Sequence, residues 1–147
     1  MKTNEHDFYS EIANWSFEDI DYTSEVITNW IYEDEIKKRV KENTKILDLG
    51  TAAGEKVLKN FPNCAEILGT DFSDEMIETA NKNLLQSGRK NISFRVMDNL
   101  KMDTSENYFD LVTARHTIID PLQIYKTLKK GGQLVIRGVD KLDCWSL

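Results

Sequence analysis

The stretch KILDLGTAAGEK at residues 45–56 decides the fold, because a hydrophobic strand runs directly into a turn of small residues and then into a helix. Asp48 stands two residues before Gly50, and the next glycine is Gly54. Small residues let the backbone and the helix N-terminus approach a ligand closely. The spacing differs from the G-x-G-x-x-G of dinucleotide-binding turns, which argues against a diphosphate ligand and a nicotinamide-dependent reductase.

Strand and helix patterns alternate from residue 45 onward, which is typical of a parallel α/β sheet. Strands are predicted over residues 45–50, 65–71, 91–98, 109–115 and 133–139. The first helix is predicted over 55–60, and the second from the N-cap Ser73 to Gly88. The third begins at Asp120-Pro121 and runs to Lys129-Lys130, where Gly131-Gly132 should stop it.

The N-terminal 44 residues differ in character, because half of the chain's fourteen aromatic residues lie between positions 8 and 32. A helix is predicted over 24–41, with Val26, Trp30, Ile36 and Val40 among its apolar positions. These aromatics either pack helices onto the sheet or cap a ligand at its carboxyl edge. They are Phe8, Tyr9, Trp15, Phe17, Tyr22, Trp30 and Tyr32.

Length and composition predict a single domain over residues 1–147. Within it we expect an N-terminal helical cap segment (1–44), an α/β core (45–139) and the start of a helix (140–147). Cys64 and Cys144 form neither a metal-binding spacing nor a disulfide framework, and no apolar run is long enough to span a membrane. We therefore expect a cytoplasmic protein. The net charge of −6 argues against a nucleic-acid substrate.

Polar residues follow three more predicted strands, and the carboxyl ends of parallel strands meet at one edge of a sheet. Asp71 lies 21 residues after Gly50, where an acid can accept the hydroxyls of a ribose. Asp98 and the backbone N–H of Asn99 can read the amino group and ring nitrogen of adenine. Arg115-His116 follows the fourth strand, where a reacting group would lie.

The motifs ILDLGTAAGEK, ILGTDFSDEMIETANKNL, FRVMDNLKM, YFDLVTARH and IYKTLKKGGQLVIRGV together resemble the class I S-adenosylmethionine-dependent methyltransferases over about residues 45–139. The resemblance implies a Rossmann-like, doubly wound parallel sheet of order 3-2-1-4-5 with helices on both faces. It also implies S-adenosylmethionine as the cofactor. Ala52 stands where the family has a glycine, so its methyl group would crowd the ligand or exclude a strained backbone angle, and weaker cofactor binding is expected.

The resemblance also implies roles for individual residues. Asp48 and the backbone of Gly50 would hold the methionine part of the cofactor, and Asp71 would bind the ribose. Phe72 and Met76 would line the adenine. The complete cofactor-binding set that we predict is Asp48, Gly50, Thr51, Ala52, Gly54, Asp71, Phe72, Met76, Asp98, Asn99 and Arg115.

The reaction needs alignment and exclusion of water more than acid–base groups, because the sulfonium methyl group is already activated. His116 is the candidate catalytic base, and Arg115 is a second catalytic candidate that would hold a carboxylate of the cofactor or the substrate. Both residues could instead only satisfy strand-end backbone or orient the cofactor. No metal site is predicted, because Asp120 and Asp140 are isolated.

A small-molecule acceptor is predicted, because ARHT (114–117) replaces the Asn/Asp-Pro-Pro-aromatic motif and contains no cysteine nucleophile. Members of the family usually continue with a helix and two strands, so we read the C-terminal strands of the full fold as missing. The exposed fifth strand then predicts a homo-oligomer. The alternative function is a non-catalytic module that binds S-adenosylmethionine or a partner.

Overall fold

The computed structural model describes residues 31–138. Its elements, in chain order, are α1 (Tyr32–Arg39), β1 (Lys45–Leu49), α2 (Glu55–Asn60), β2 (Glu66–Asp71), α3 (Asp74–Ser87), β3 (Ile92–Val96), β4 (Phe109–Arg115), α4 (Pro121–Thr127) and β5 (Leu128–Arg137). Six of the seven N-terminal aromatics, the predicted helix over 24–30 and the predicted helix start at 140–147 lie outside the described residues. So do Asp140 and Cys144.

The five strands form one parallel sheet in the order β3-β2-β1-β4-β5, as predicted. β1 lies at the centre of the sheet, between β2 and β4. Its residues 46–49 are all buried, as expected for a central parallel strand that is covered on both faces. Asp48 is in register with Gly69 of β2 and with Thr113 of β4. The carboxyl ends of these three strands therefore meet at one edge.

Helices cover both faces of the sheet, again as predicted. One core cluster packs α1, α2 and α3 against the face that carries Ile46, and it includes Ile36 of α1 and Val57 of α2. The opposite cluster packs Ile124 of α4 against Leu47 and the other residues of that face. Successive strand residues point to opposite faces, so the neighbours Ile46 and Leu47 of β1 enter different cores.

Local capping signals set both ends of α3. The Ser73 hydroxyl accepts a hydrogen bond from the Met76 backbone N–H at 3.2 Å, and Asp74 and Glu75 lie in the first turn, where the helix dipole favours acids. Gly88 ends the helix with a left-handed φ of +67°. This helix and α2 therefore form where the sequence predicts them.

The predicted end of α4 is wrong. The helix ends at Thr127, and LKKGG begins β5 instead of stopping a helix. The carbonyls of Lys126 and Thr127 accept backbone hydrogen bonds from Asn107 and Tyr108, which draws the chain into the sheet one turn early. The register shifts between Phe109 and Leu111 as β5 pairs with β4, so the start of β5 is irregular.

The predicted helix over 24–41 is also not continuous, because Ile31 is extended and α1 spans only Tyr32–Arg39. Three acids occupy the first turn of α1 and three bases the last, which complements the helix dipole at both of these ends. β3 is shorter than predicted because Asn91 has a left-handed φ of +63° and Asp98 forms a turn with Leu100. Within residues 31–138, every helix is too short or too polar to cross a bilayer.

Candidate functional site

In the turn between β1 and α2, every second residue has the left-handed φ that favours glycine. Gly50, Ala52 and Gly54 have φ values of +70°, +52° and +73°, and only the middle residue carries a side chain. The methyl group of Ala52 therefore does not exclude the left-handed backbone, although that conformation costs about 1–2 kcal/mol in an L-residue. The expectation that alanine would exclude this angle is wrong, while crowding of a ligand stays a prediction.

Close packing explains why the flanking residues of this turn are glycines. A Cβ atom on Gly50 would lie 2.7 Å from the Cβ of Thr117, which follows β4. A Cβ atom on Gly54 would lie 2.5 Å from the Phe94 ring of β3. The turn is thus held between the loop after β4 and the Phe94 ring of β3, and the Thr51 backbone N–H donates to the Thr70 carbonyl at 2.8 Å.

Asp71 joins this turn to the carboxyl end of β2. Its Oδ2 accepts from the Ala52 backbone N–H at 2.9 Å, and its Oδ1 accepts from the Ser73 backbone N–H at 3.0 Å. The residue is 7% exposed. These two hydrogen bonds fix the turn against the carboxyl end of β2.

Asp48 lies buried below the same turn, at the centre of the sheet. Its Oδ1 accepts from the Thr113 hydroxyl at 2.6 Å. Burial raises the pKa of Asp48 to about 6, the Thr113 and Thr51 hydroxyls oppose that rise, and the charge of Asp71 adds to it. Burial, and then the nearby charge of Asp48, also raises the pKa of the Tyr32 phenol on α1.

Asn99 connects the loops after β3 and β4. Its Nδ2 donates to the Thr117 hydroxyl at 3.1 Å and to the Ile118 carbonyl at 2.9 Å, and the residue is 6% exposed. Its Oδ1 is buried and has no hydrogen-bond partner in the described part of the chain. Asp98 is exposed and accepts from the Leu100 backbone N–H at 2.8 Å, so its side chain takes no part in this connection.

The two residues predicted to line adenine differ in exposure. Phe72 is half-buried beside Asp71, whereas Met76 is completely buried under the N-terminus of α3. Phe72 can offer a surface directly, and Met76 supports the wall behind it. Their contact with adenine stays a prediction.

Arg115 and His116 end β4 on the same edge of the sheet. The Arg115 Nη1 lies 3.3 Å from the Glu33 Oε1 of α1. His116 is exposed, has a left-handed φ of +51°, and donates its backbone N–H to the Arg137 carbonyl at 2.7 Å. Partial burial, followed by the charges of Arg115 and Arg137, lowers the pKa of His116, so its imidazole is neutral near pH 7.

The structure therefore brings Asp48, the turn, Asp71 and Asn99 to one edge of the sheet, with Arg115 and His116 beside them. Sequence reasoning did not assign Glu33, Thr113 or Thr117 to the site. Thr113 could have been found from its register with Asp48 on the adjacent strand. Residues 31–138 contain no group of three or more His, Cys, Asp or Glu side chains that could hold a metal ion.

Comparison with known proteins gives a match to the family of the methyltransferase domain over residues 40–144. Two curated relatives are the release factor glutamine methyltransferase of Flavobacterium psychrophilum, 29% identical over 68% of this chain, and the ubiquinone/menaquinone biosynthesis C-methyltransferase UbiE of Geotalea daltonii, 30% identical over 67%. The chain spans 35% of the first relative and 48% of the second, less than half of either.

A similar solved structure is that of Haemonchus contortus phosphoethanolamine N-methyltransferase 2 in complex with S-adenosyl-L-methionine. The two structures superpose with a TM-score of 0.61 and 26% sequence identity, over 71% of this chain and 27% of that protein. The shared part includes the parallel α/β sheet.

Proposed function

The chain belongs to the methyltransferase domain family, and on this premise we propose that it transfers the methyl group of S-adenosylmethionine to a small-molecule acceptor. The observation that carries this proposal is the pair of hydrogen bonds from Ala52 and Ser73 to the Asp71 carboxylate. They hold a ribose-binding acid directly against the small-residue turn. Any ligand that carries a ribose needs this combination, and Ala52, where a dinucleotide-binding turn has its second glycine, favours a nucleoside joined to an amino acid over a dinucleotide.

The residues at this edge fit the cofactor in three respects. The turn presents backbone without bulky side chains, the Asp71 carboxylate lies against that turn, and the buried Oδ1 of Asn99 is an acceptor that has no partner within residues 31–138. Asp48 lies beneath Gly50, where its carboxylate would attract the positively charged methionine end. The Asn99 oxygen adds a side-chain acceptor to the backbone N–H that the sequence predicts.

When bound, S-adenosylmethionine supplies a methyl group on a sulfonium, which needs a correctly aligned nucleophile more than it needs acid catalysis. Arg115 would orient a carboxylate of the cofactor or the acceptor, and its bond to Glu33 fixes the guanidinium in place. His116 would accept a proton from the acceptor, because its lowered pKa keeps the imidazole neutral near pH 7.

Donor binding is tested by calorimetry with S-adenosylmethionine on the full chain. Asp71→Asn should weaken the affinity about 10- to 100-fold, the effect of hydrogen bonds to a charged group. Asp74→Asn is the matched control, because it removes the same charge from an exposed position three residues away. Affinity unchanged even in the double variant Asp71→Asn/Asp98→Asn would contradict the proposed site.

Methyl transfer is tested by following formation of S-adenosylhomocysteine with a panel of small phenols, amines and carboxylic acids, and with protein acceptors in a separate arm. Turnover with a small acceptor supports the proposal, and loss of that turnover in His116→Gln, with donor affinity kept, supports the role of His116. Turnover confined to proteins would contradict the small-molecule assignment. Donor binding without turnover on any acceptor would favour a non-catalytic binding module.

The domain boundaries, the cytoplasmic location and the homo-oligomer stay predictions. β5 forms one edge of the described sheet, as the predicted association requires. That strand also carries Lys129, Lys130 and Arg137, and charged residues on an edge strand oppose pairing with another chain. Sedimentation of the full chain over a range of concentrations tests the association.

A further inference from the structure

A second cluster of charged groups lies at the carboxyl ends of β4 and β5, beside the proposed cofactor site. Arg115 and Arg137 are register partners on these adjacent parallel strands. His116 directly follows Arg115, and its backbone N–H bonds to the Arg137 carbonyl. Two guanidinium groups and an imidazole therefore come from backbone positions that touch one another.

Both arginines lie on the face of the sheet that α1 covers. Val135 of β5, two residues before Arg137, is buried in the same core cluster as Tyr32 of α1. Arg115 reaches that helix directly, through its ion pair with Glu33. Because side chains two residues apart on a strand share a face, Arg137 extends beside the Glu33–Arg115 pair.

Within residues 31–138, the charges in this cluster do not balance. Glu33 compensates Arg115 at 3.3 Å, but no carboxylate in the described part of the chain lies within ion-pair distance of Arg137, which is exposed. Partial burial, followed by the charges of Arg115 and Arg137, lowers the pKa of His116, so both arginines lie close enough to act on the imidazole. Among residues 31–138, the cluster therefore carries a positive charge on Arg137 that no carboxylate compensates.

We propose that Arg137, together with Arg115 and His116, forms a subsite that binds an anionic group of the methyl acceptor, a carboxylate or a phosphate. This inference rests on the proposed function, because it assigns the acceptor's end of the same edge. A guanidinium binds either group through paired hydrogen bonds, which would fix the acceptor beside the catalytic candidate His116. The acceptor is therefore a small molecule that carries a negative charge near its methylated atom.

The subsite is tested on the full chain with inorganic phosphate and, in a separate arm, with acetate, at constant ionic strength. The readout is the pKa of His116, followed by nuclear magnetic resonance and assigned with His116→Gln, because His6 is the other histidine. A bound anion should raise the pKa of His116 by about half a unit. Phosphate and acetate compared at equal concentration show which of the two groups the subsite prefers.

Three variants separate this site from general charge effects. Arg137→Gln should weaken the anion response about five- to tenfold. Lys130→Gln, which also removes one positive charge but near the other end of β5, should leave the response unchanged. Glu33→Gln should strengthen the response, because it frees Arg115. No response in the parent chain, or the same response in Arg137→Gln, would overturn the proposal.

Donor calorimetry on the same samples distinguishes the two proposals. A chain that binds phosphate through Arg137 but does not bind S-adenosylmethionine would overturn the proposed function and leave the anion site. A chain that binds the donor without an anion response would overturn the subsite alone. Once an acceptor is found, Arg137→Gln should raise KM for it about tenfold and leave KM for its uncharged ester or amide unchanged.

Discussion

Replacing Asp48 with asparagine should make the protein more stable at neutral pH and should remove part of its dependence on pH. Burial raises the pKa of this carboxyl from its ordinary value of 3.8 to about 6. At 1.36 kcal/mol per pKa unit, this rise corresponds to roughly 3 kcal/mol of destabilisation once the carboxyl is ionised in the folded protein. Asparagine carries no charge, and its side-chain oxygen can still accept from the Thr113 hydroxyl.

The sign follows from proton binding. Because the folded-state pKa lies above the unfolded value, the folded chain binds more protons between about pH 4 and pH 6. The free energy of unfolding that Asp48 contributes is therefore fully present below about pH 4 and lost as the pH rises through 6. Asp48→Asn should flatten this fall and should be up to about 3 kcal/mol more stable than the parent at pH 8.

The assay is urea denaturation of parent and variant at half-unit steps from pH 4 to pH 8. Asp103→Asn is the control, because that exposed carboxylate pairs with Arg95, which lowers its pKa, so its contribution is lost as the pH falls. Parallel curves for parent and Asp48→Asn across this range would refute the reasoning. So would a variant less stable than the parent at pH 8, because the buried charge would then be fully compensated.

Three further substitutions, with Gly88→Ala as a control for the first, test the turn and the loop contacts. Gly54→Ala should lower the free energy of unfolding by about 3 kcal/mol, because its Cβ would meet the Phe94 ring at 2.5 Å. Gly88→Ala, with a similar φ and nothing within 4 Å, should show only the backbone part, about 1 kcal/mol; equal losses in denaturation would contradict the packing argument. Ala52→Gly should stabilise the protein by about 0.5 kcal/mol and tighten donor binding in calorimetry; a looser complex would mean that the methyl group does not crowd the ligand. Asn99→Ala should cost about 2 kcal/mol and speed amide hydrogen exchange in the β4–α4 loop; unchanged exchange there would contradict its anchoring role.

Local signals predicted those elements whose ends are fixed by their own side chains. The limits of α2 agree with the prediction, and Ser73 and Gly88 set the ends of α3 through a hydrogen bond and a left-handed residue. The end of α4 was missed because two glycines after two lysines are also a normal start for an irregular strand. Backbone groups of Asn107 and Tyr108, about twenty residues earlier, decide between the alternatives, and no local pattern contains them.

The candidate site divides in the same way. Asp71 and the turn around Ala52 were predicted because a short motif and a fixed spacing connect them. Glu33 and Thr113 were not, because each meets its partner from a distant part of the chain, 82 and 65 residues away. The sequence therefore predicts that Asp71 and the turn lie together, whereas the contacts of Arg115 become predictable only after the strands have been placed in order.

The strand order has a consequence for synthesis on the ribosome. β1 is made first, yet it lies between β2 and β4, and its partner residues on β4 follow 65 residues later in the chain. At roughly 5–20 residues per second, one edge of this apolar strand waits for about 3–13 s without its neighbour. During that interval the nascent chain exposes the unpaired backbone N–H and C=O groups of β1 that later pair with β4. Chaperones or a slower translation rate would therefore affect the yield of folded protein most at this stage.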